Sequence, residues 1–186
     1  MSASARLPAI ALLAALLLAG CGTPSQPLPM VVTTADALQI RGWVPDALKA
    51  QVAVAEVQGG QETGRWWGSR VSAVALQQAL EDSLYAVGMR PPAPLPAARF
   101  ELRAELAQLE QPLLPVAGVT VGVAVRYTLV ERAGGRIVYQ RLIANQDEAG
   151  LGDALLSPSE RLRIANERAL RGNIDRLLRD LVTLRP

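Results

Sequence analysis

Apolar and polar residues repeat with two different periods along the first half of the chain, and each period predicts a type of element. Residues 51–57 alternate and are rich in valine, which predicts a first strand. Further on, apolar residues recur three and four positions apart, which predicts a helix that begins after Ser69 or Ser72 and ends at Gly88. The face expected to be buried consists of Leu76, Ala79, Leu80, Ser83, Leu84 and Val87.

Three more strands are predicted in the second half. From residue 100 the period is two, and apolar residues alternate with charged ones as in a half-buried strand. A longer strand of the same period covers residues 119–129. A hairpin turn is predicted at residues 133–135, followed by a returning strand over residues 136–144 and a loop over residues 145–156. In the returning strand, one face is predicted to carry Ile137, Tyr139 and Ile143.

The last helix has a well-marked start. Ser157, Pro158 and Glu160 combine a capping box with proline at the first helical position. Arg163 and Glu167 lie one turn apart and are expected to form an ion pair. The predicted apolar stripe is Leu170, Ile174, Leu177, Leu178, Leu181 and Leu184. The opposite face is interpreted as solvated rather than as a phosphate or headgroup site, and it carries Arg161, Arg168, Arg176 and Arg179.

These elements define an expected fold class. The order is strand, helix, strand, strand, strand, helix, and the crossover helix makes the first two strands parallel if they share a sheet. Both helices have one apolar face and the strands alternate, so each layer needs the other to bury its apolar side. We therefore predict an α+β two-layer sandwich with a four-stranded, mostly antiparallel sheet, two helices on one face and a polar, accessible second face.

The amino terminus has the pattern of a lipoprotein signal peptide. Residues 1–6 carry one positive charge, residues 7–18 form an apolar segment, and residues 18–21 read Leu-Ala-Gly-Cys, a lipobox. Cleavage between Gly20 and Cys21 frees the sole cysteine, whose thiol is expected to form a thioether to diacylglycerol. Because a spanning helix needs about 20 apolar residues, this shorter run indicates export. Several acyl chains make a stable anchor.

The predicted domains follow from this processing. Residues 1–20 are the signal peptide, residues 21–50 the lipidated cysteine and a proline-interrupted tether, and residues 51–186 the periplasmic domain. Docking of the apolar stretches 30–32 and 37–43 on the domain is the alternative to a free tether. Gly22 after the cysteine favours the outer membrane by general sorting rules, so the domain is expected to face the periplasm.

Composition narrows the chemistry. Half of the residues are apolar, as in a globular domain, and a net charge of +2 does not suggest nucleic-acid binding. The chain has no histidine, which removes the usual general base, the serine triad and most zinc sites. Asp147, Glu148 and Asp153 lack the spacing of a calcium loop. We therefore predict no enzymatic activity, no cofactor and no metal site.

An adjacent tryptophan pair is the candidate partner-binding site. Aromatic residues make up only 4% of the chain, yet Trp66 and Trp67 are neighbours in a glycine-rich loop over residues 58–69. In an extended backbone the two side chains cannot enter the same core, so one is expected to be an exposed contact for a partner. The alternative is that one packs in the core while the other caps the sheet edge.

Three stretches resemble a family of poorly characterised proteobacterial outer-membrane lipoproteins, namely residues 77–81, 126–129 and 160–174, within an overall coverage of residues 52–181. The element order also resembles the lipopolysaccharide-assembly lipoprotein that plugs an outer-membrane translocon. The second similarity is architectural, and a fold does not fix a function.

Two functions from different classes fit these expectations. The first is a non-catalytic binding or assembly module, anchored by acyl chains, whose open sheet face or tryptophan loop contacts an envelope protein. The second is a carrier that holds a lipid or glycolipid between the sheet and the helices.

Overall fold

The structure is a computed structural model that describes residues 23–61, 63, 68–92, 98–112, 118–155 and 157–186. In chain order its elements are α1 (Pro27–Met30), α2 (Thr34–Arg41), a short 3-10 helix (Asp46–Leu48), β1 (Val52–Val54), α3 (Ala73–Ala86), β2 (Phe100–Glu110), β3 (Val119–Glu131), β4 (Arg136–Ala149) and α4 (Pro158–Leu181).

The four strands form one mixed sheet in the order β1-β2-β3-β4. β1 pairs parallel with β2, whereas β2 with β3 and β3 with β4 pair antiparallel. The helices lie on one side, where α3 contacts β1 and α4 contacts β3 and β4. The predicted α+β two-layer sandwich is therefore confirmed, with the crossover through α3 making β1 and β2 parallel.

The core between the layers is built from the residues that the two periods predict. The whole predicted face of α3 is buried, Ser72 caps the helix by accepting from the Ala75 N–H at 3.2 Å, and Gly88 ends it at a φ of +80°. The inward residues of the strands are buried as expected, namely Phe100, Leu102, Ala104, Leu106, Val119, Val121, Val123, Val125, Tyr127 and Leu129.

Helix α4 begins as predicted and packs along the sheet. The Ser157 hydroxyl accepts from the Glu160 N–H at 3.2 Å. The apolar stripe is buried from Leu170 to Leu181, whereas Leu184 follows the end of the helix and is half-buried.

A hydrogen bond inside the core joins α4 to β3. The Tyr127 hydroxyl donates to Asn173 Oδ1 at 2.9 Å, and the Asn173 amide donates to the Ile143 carbonyl at 2.8 Å and to Asn145 Oδ1 at 2.7 Å. Burial raises the pKa of Tyr127, which keeps the phenol in the neutral form that donates.

The loop predicted over residues 145–156 is wrong at its start, because β4 continues to Ala149. Residues 145–149 pair with residues 119–123 of β3. Their polar sequence is typical of a loop, but in the structure the polar side chains have hydrogen-bond partners. The Asn145 amide, for example, donates to the Ala169 carbonyl of α4 at 2.8 Å.

The predicted faces of β4 are also wrong at one position. Leu129 pairs with Tyr139 while Val130 pairs with Ile137, so Val138 is an extra residue in β4. Such a bulge inverts the alternation on one side of it. Ile137 is therefore exposed on the outer face together with Leu142.

The basic face of α4 is only partly solvated. The prediction of a solvated side chain is wrong for Arg161, which is 2% exposed and donates to the Ala154 carbonyl at 2.6 Å. Arg168 and Arg176 donate to the carbonyls of Glu148 and Ala144 at 3.1 and 3.0 Å. These two arginines cover the edge of β4, where exposed backbone groups otherwise invite pairing with another strand.

The prediction of a tether over residues 21–50 is wrong for residues 27–48, because these residues pack on the domain. Helix α1 contacts both α3 and α4, and α2 contacts the same pair. Met30, Ile40 and Leu48 are buried within the main core. The docked alternative for residues 30–32 and 37–43 is therefore what the structure shows, although Trp43 remains exposed.

We expect Asn173→Ala to lower the free energy of unfolding by about 2–3 kcal/mol, because it leaves the Tyr127 hydroxyl and neighbouring polar groups buried without partners. Tyr127→Phe, which removes only the hydroxyl, should cost about 1 kcal/mol. Urea denaturation measures both. A change below about 0.5 kcal/mol for Asn173→Ala, typical of surface substitutions, would contradict the role assigned to this hydrogen bond.

Candidate functional site

The residues predicted to carry function lie outside the described part of the chain. These are Gly20 and Cys21 at the predicted cleavage and lipidation site, and Trp66 and Trp67 in the glycine-rich loop. The structure does describe residues close to each of them along the chain, and those residues meet at one place.

A buried polar cluster holds the chain just after the predicted lipidation site. The Gln26 N–H donates to Glu167 Oε1 at 2.7 Å, and the Asn166 amide donates to Ser25 Oγ at 3.4 Å. The hydroxyl oxygens of Ser25 and Ser69 lie 3.3 Å apart. We call these five residues the N-terminal clamp. It fixes the start of the described chain to α4 and to the segment before α3.

Arg163 supplies the charge that the clamp needs. Glu167 is buried, and Arg163 Nη1 lies 2.6 Å from Glu167 Oε1, which confirms the predicted ion pair. Arg163 also pairs with Glu160. Its hydrogen bonds to Glu160 and Glu167 raise the pKa of Arg163, and the same contact lowers the pKa of Glu160. A buried carboxylate needs such a partner, so Arg163 stabilises the acceptor that receives the Gln26 N–H.

The clamp extends to the segments that flank the tryptophan pair and the end of β2. The Gln111 amide donates to the Ser69 carbonyl and to Asn166 Oδ1, both at 2.8 Å. The Arg70 N–H donates to Thr63 Oγ1 at 3.0 Å, which joins the described residues on either side of positions 64–67. Ser69, before α3, and Gln111, after β2, are therefore held at the same point as the start of the described chain.

We call this end of the sandwich the anchor end. The carboxyl ends of β2 and β4 and the amino ends of β3, α3 and α4 lie there, and its described residues are 23–25, 61, 63, 68–72, 111–112, 118 and 150–155. The opposite end, which we call the distal end, consists of residues 88–92, 98–99, 132–135 and 182–186.

The loop after β4 presents exposed leucines at the anchor end. Leu155 is 72% exposed and Leu151 is also exposed. Asp153 shapes the loop, because it accepts from the Gly150 N–H at 2.9 Å and from Arg168 Nη1 at 3.1 Å. The hydrogen bonds from Arg168 and Gly150 lower the pKa of Asp153, so the carboxylate stays charged. The hydrogen bonds of Asp153 therefore hold the conformation of the loop that carries these leucines.

The outer face of the sheet is open and lined by ion pairs, as predicted. Arg126 pairs with Glu105 at 2.8 Å, and Arg103 pairs with Glu101 at 2.9 Å. A groove of about 420 Å³ lies among these side chains. A second groove of about 280 Å³ is lined by Glu110 and by uncharged residues that include Gly122, Ala124, Ala144 and Gln146. Exposed ion pairs of this kind contribute little to stability.

The described residues contain no cluster of side chains suited to hold a metal ion. No group of three or more histidine, cysteine, aspartate or glutamate side chains comes together among them to hold a metal ion. Asp153, one of the three acids considered for calcium, is engaged by Arg168. Within the same ranges, no helix is both long and apolar enough to cross a membrane.

Comparisons with known proteins define the fold. No family model matches the chain, and no curated protein matches its sequence. A solved structure from Xanthomonas campestris, of domain-of-unknown-function family 330, has a TM-score of 0.54 at 12% identity and covers 75% of this chain and 90% of its own. A presumed lipoprotein from Caulobacter crescentus has a TM-score of 0.50 at 14% identity, covering 79% of this chain and 96% of its own.

At such low identity these likenesses show a shared fold. Neither protein is named as a lipopolysaccharide-assembly lipoprotein, so that resemblance stays a prediction.

No sequence pattern pointed to the N-terminal clamp, because Ser25 and Asn166 are 141 positions apart. The one available signal was the spacing of Arg163 and Glu167.

We expect Asn166→Ala to release residues 23–32 selectively, because it removes the amide that joins Ser25, the Ser69 carbonyl and Gln111. Hydrogen–deuterium exchange should become about tenfold faster in that segment, the factor that corresponds to about 1.4 kcal/mol of lost local stability. Asn173→Ala is the matched control, since Asn173 is equally buried two turns further along α4 and its hydrogen bonds join it to Tyr127, Ile143 and Asn145. Equal exchange of residues 23–32 in the two variants would contradict the clamp.

Proposed function

We propose that this chain is a non-catalytic, lipid-anchored envelope protein that binds another envelope protein at the periplasmic face of the outer membrane. Acyl chains on Cys21 attach it to the membrane, and the domain supplies the binding surface. The proposal includes no cofactor, no nucleic acid and no reaction.

The observation that carries the proposal is the N-terminal clamp. Ser25 is only four positions after Cys21, a distance of at most about 14 Å even when fully extended. A lipid anchor on Cys21 would thus hold the domain against the membrane surface. A chain whose first residues after a lipobox are built into the fold is well suited to present a surface at a fixed distance from a bilayer.

The structural comparison adds support. The Caulobacter crescentus protein that shares this fold over most of both chains is itself named a presumed lipoprotein. Together with the lipobox, this favours an anchored protein over a freely exported one. The outer-membrane assignment rests on Gly22 and the general sorting rules.

The outer sheet face is the proposed protein-binding surface. Ile137 and Leu142 are exposed there beside the ion pairs of β2 and β3, and apolar side chains within a polar rim are typical of interfaces. Trp66 and Trp67 remain a second predicted contact for a partner.

The carrier alternative receives less support. It needs space between the sheet and the helices, where the structure has one continuous core with Phe100, Tyr127 and Leu170 fully buried. The two grooves described above lie on the opposite side of the sheet. A lipid that copurifies with the protein in native mass spectrometry would instead favour a carrier.

We expect Cys21→Ser to move the protein from the membrane fraction to the soluble fraction, since the acyl chains are the proposed attachment. Intact-mass analysis of the native protein should show an acylated cysteine as the first residue. Asn166→Ala is the control, because it alters the clamp while leaving Cys21 in place. A native mass with residues 1–20 still attached and an unmodified thiol would overturn the proposal.

A photo-crosslinking residue in place of Leu142 should give a covalent adduct with a single envelope protein in living cells. The same residue in place of Leu38 is the matched control, since Leu38 is also an exposed leucine but lies on α2 in the helical layer. Mass spectrometry identifies the adducts. Identical adduct patterns from the two positions would contradict a binding role for the outer face. If Trp66→Ala with Trp67→Ala removes the adduct, the tryptophan pair also contacts the partner.

A further inference from the structure

We propose that the part of the β4 edge that α4 leaves uncovered, at Gln140 and Leu142, binds an extended, acidic segment of the partner protein. The segment adds a strand to the sheet beside β4. This inference rests on the proposed binding of an envelope protein at the outer sheet face. It deepens that proposal, because it names the type of contact and the chemistry of the segment.

Alternate residues of β4 turn their backbone groups away from the sheet. β4 is the last strand in the sheet order and pairs regularly with β3 over residues 139–149. The Ala144 carbonyl points away from β3, because it accepts from Arg176 of α4 at 3.0 Å. The N–H and C=O of one residue point to the same side of an antiparallel strand. Gln140 and Leu142 therefore also direct one N–H and one C=O each away from β3.

The arginines of α4 cover only the part of this edge that lies nearer the anchor end. They are eight residues apart on α4 and reach carbonyls four residues apart on β4, the farther one at Ala144. The next such step would need a side-chain donor at Leu184 for the carbonyl of Gln140, and α4 itself ends at Leu181. Within the described ranges, no hydrogen bond from outside the β3–β4 ladder reaches the backbone of Gln140 or Leu142. Such unpaired edge groups are a template for another strand.

A groove of about 470 Å³ lies between this edge and α4. Residues 141–144 form its strand side, and Arg176, Arg179 and Asp180 form its helix side. A peptide that adds a strand to an exposed edge is held by main-chain hydrogen bonds, while pockets beside the edge select its side chains. The groove therefore provides space for side chains of the segment at the place where the backbone of β4 is unpaired.

The charges of the groove favour an acidic segment. Two of its three arginines, Arg141 and Arg179, already have carboxylate partners, namely Asp180, Asp175 and Asp36. Arg176 has a backbone carbonyl as its partner, and none of the described carboxylates forms an ion pair with it. A carboxylate of the segment would form a charge-assisted hydrogen bond with the remaining N–H groups of Arg176.

A foreign segment fits this edge better than a second copy of the chain. In a symmetric edge-to-edge pairing, each copy would bring its own Arg141 and Arg176 to the shared edge, where like charges oppose association. Leu142 is 51% exposed on the outer face, so the strand site is continuous with the proposed protein-binding surface. Both contacts therefore fit one partner.

Proline substitution tests the edge directly in cells that carry the photo-crosslinking residue at position 142. We expect Gln140→Pro to reduce the adduct at least about tenfold, because proline removes the outward N–H and its ring obstructs a neighbouring strand. The hydrogen bonds between β3 and β4 are kept, since the N–H of residue 140 points away from β3. Gln146→Pro is the matched control, because this outward-facing glutamine lies between the two carbonyls that arginines cover, and its adduct should stay within about twofold. An undiminished adduct in Gln140→Pro, or an equal loss in Gln146→Pro, would overturn the strand site.

A charge reversal tests the chemistry of the segment and does not depend on how well β4 tolerates proline. Arg176→Glu should reduce the same adduct at least about tenfold, because it opposes like charges in the contact. Arg185→Glu is the matched control, with the same change at an exposed arginine that forms no ion pair with a described residue. Mass spectrometry of the crosslinked peptide should show aspartate or glutamate in the segment. Equal adducts from the two variants, a crosslinked peptide without an acidic residue, or an adduct with a second copy of this chain would contradict the acidic segment.

These outcomes are separable from a failure of the proposed function. If position 142 gives no adduct in the parent protein, the binding role of the outer face is wrong, and the strand site is wrong with it. If the adduct forms and survives both Gln140→Pro and Arg176→Glu, a partner binds the outer face and the edge contact alone is wrong.

Discussion

Polar side chains on the buried face of α4 need hydrogen-bond partners elsewhere in the fold, and this requirement fixes the position of α4 on the sheet. Asn166 and Asn173 are both fully buried and lie two turns apart on the same side of the helix. Asn173 meets Tyr127 of β3 and the backbone of β4, while Asn166 meets Ser25 and the segment before α3. Leaving one such group unpaired costs about 1–3 kcal/mol, so a helix shifted along or around its axis is strongly disfavoured.

In the same position, α4 covers part of the edge of the sheet that β4 forms. Arg168 and Arg176 are eight residues apart, about 12 Å along a helix, and the carbonyls they reach, at Glu148 and Ala144, are four residues apart, about 13 Å along a strand. The spacings match because helix and strand run side by side. One edge of a long strand is therefore occupied at these two carbonyls within the molecule, whereas the outer face of the sheet stays open.

Local pattern was enough to predict the layers and most of the core. The period of two across β2 and β3 and the period of 3.6 along α3 and α4 record which side of each element is buried. Pattern failed where a distant partner decides the conformation. Residues 145–149 extend β4 although their polar sequence resembles a loop, and Arg161 is buried because the carbonyls of the preceding loop surround it. The bulge at Val138 moves Ile137 to the outer face, and alternation alone carries no sign of it.

The lipobox is a local signal, so the prediction of lipidation at Cys21 needs only four residues. The clamp joins residues 25 and 166, and the sequence around either residue carries no sign of it.

The packing of residues 25–48 on the domain changes how freely a lipid anchor on Cys21 would let the domain move. An extended tether of 29 residues between Cys21 and residue 50 would span up to about 95 Å and leave the domain free to rotate. Because residues 25–48 are built into the fold, only residues 22–24 lie between Cys21 and the folded chain, and the proposed attachment by lipid would hold the domain in a restricted range of orientations. With the proposed acyl chains on Cys21, such a short connection would keep the outer sheet face at a nearly constant height above the membrane. The proposed protein partner would then meet a surface that is concentrated and oriented before contact, which raises the effective concentration without any further interaction between the two proteins.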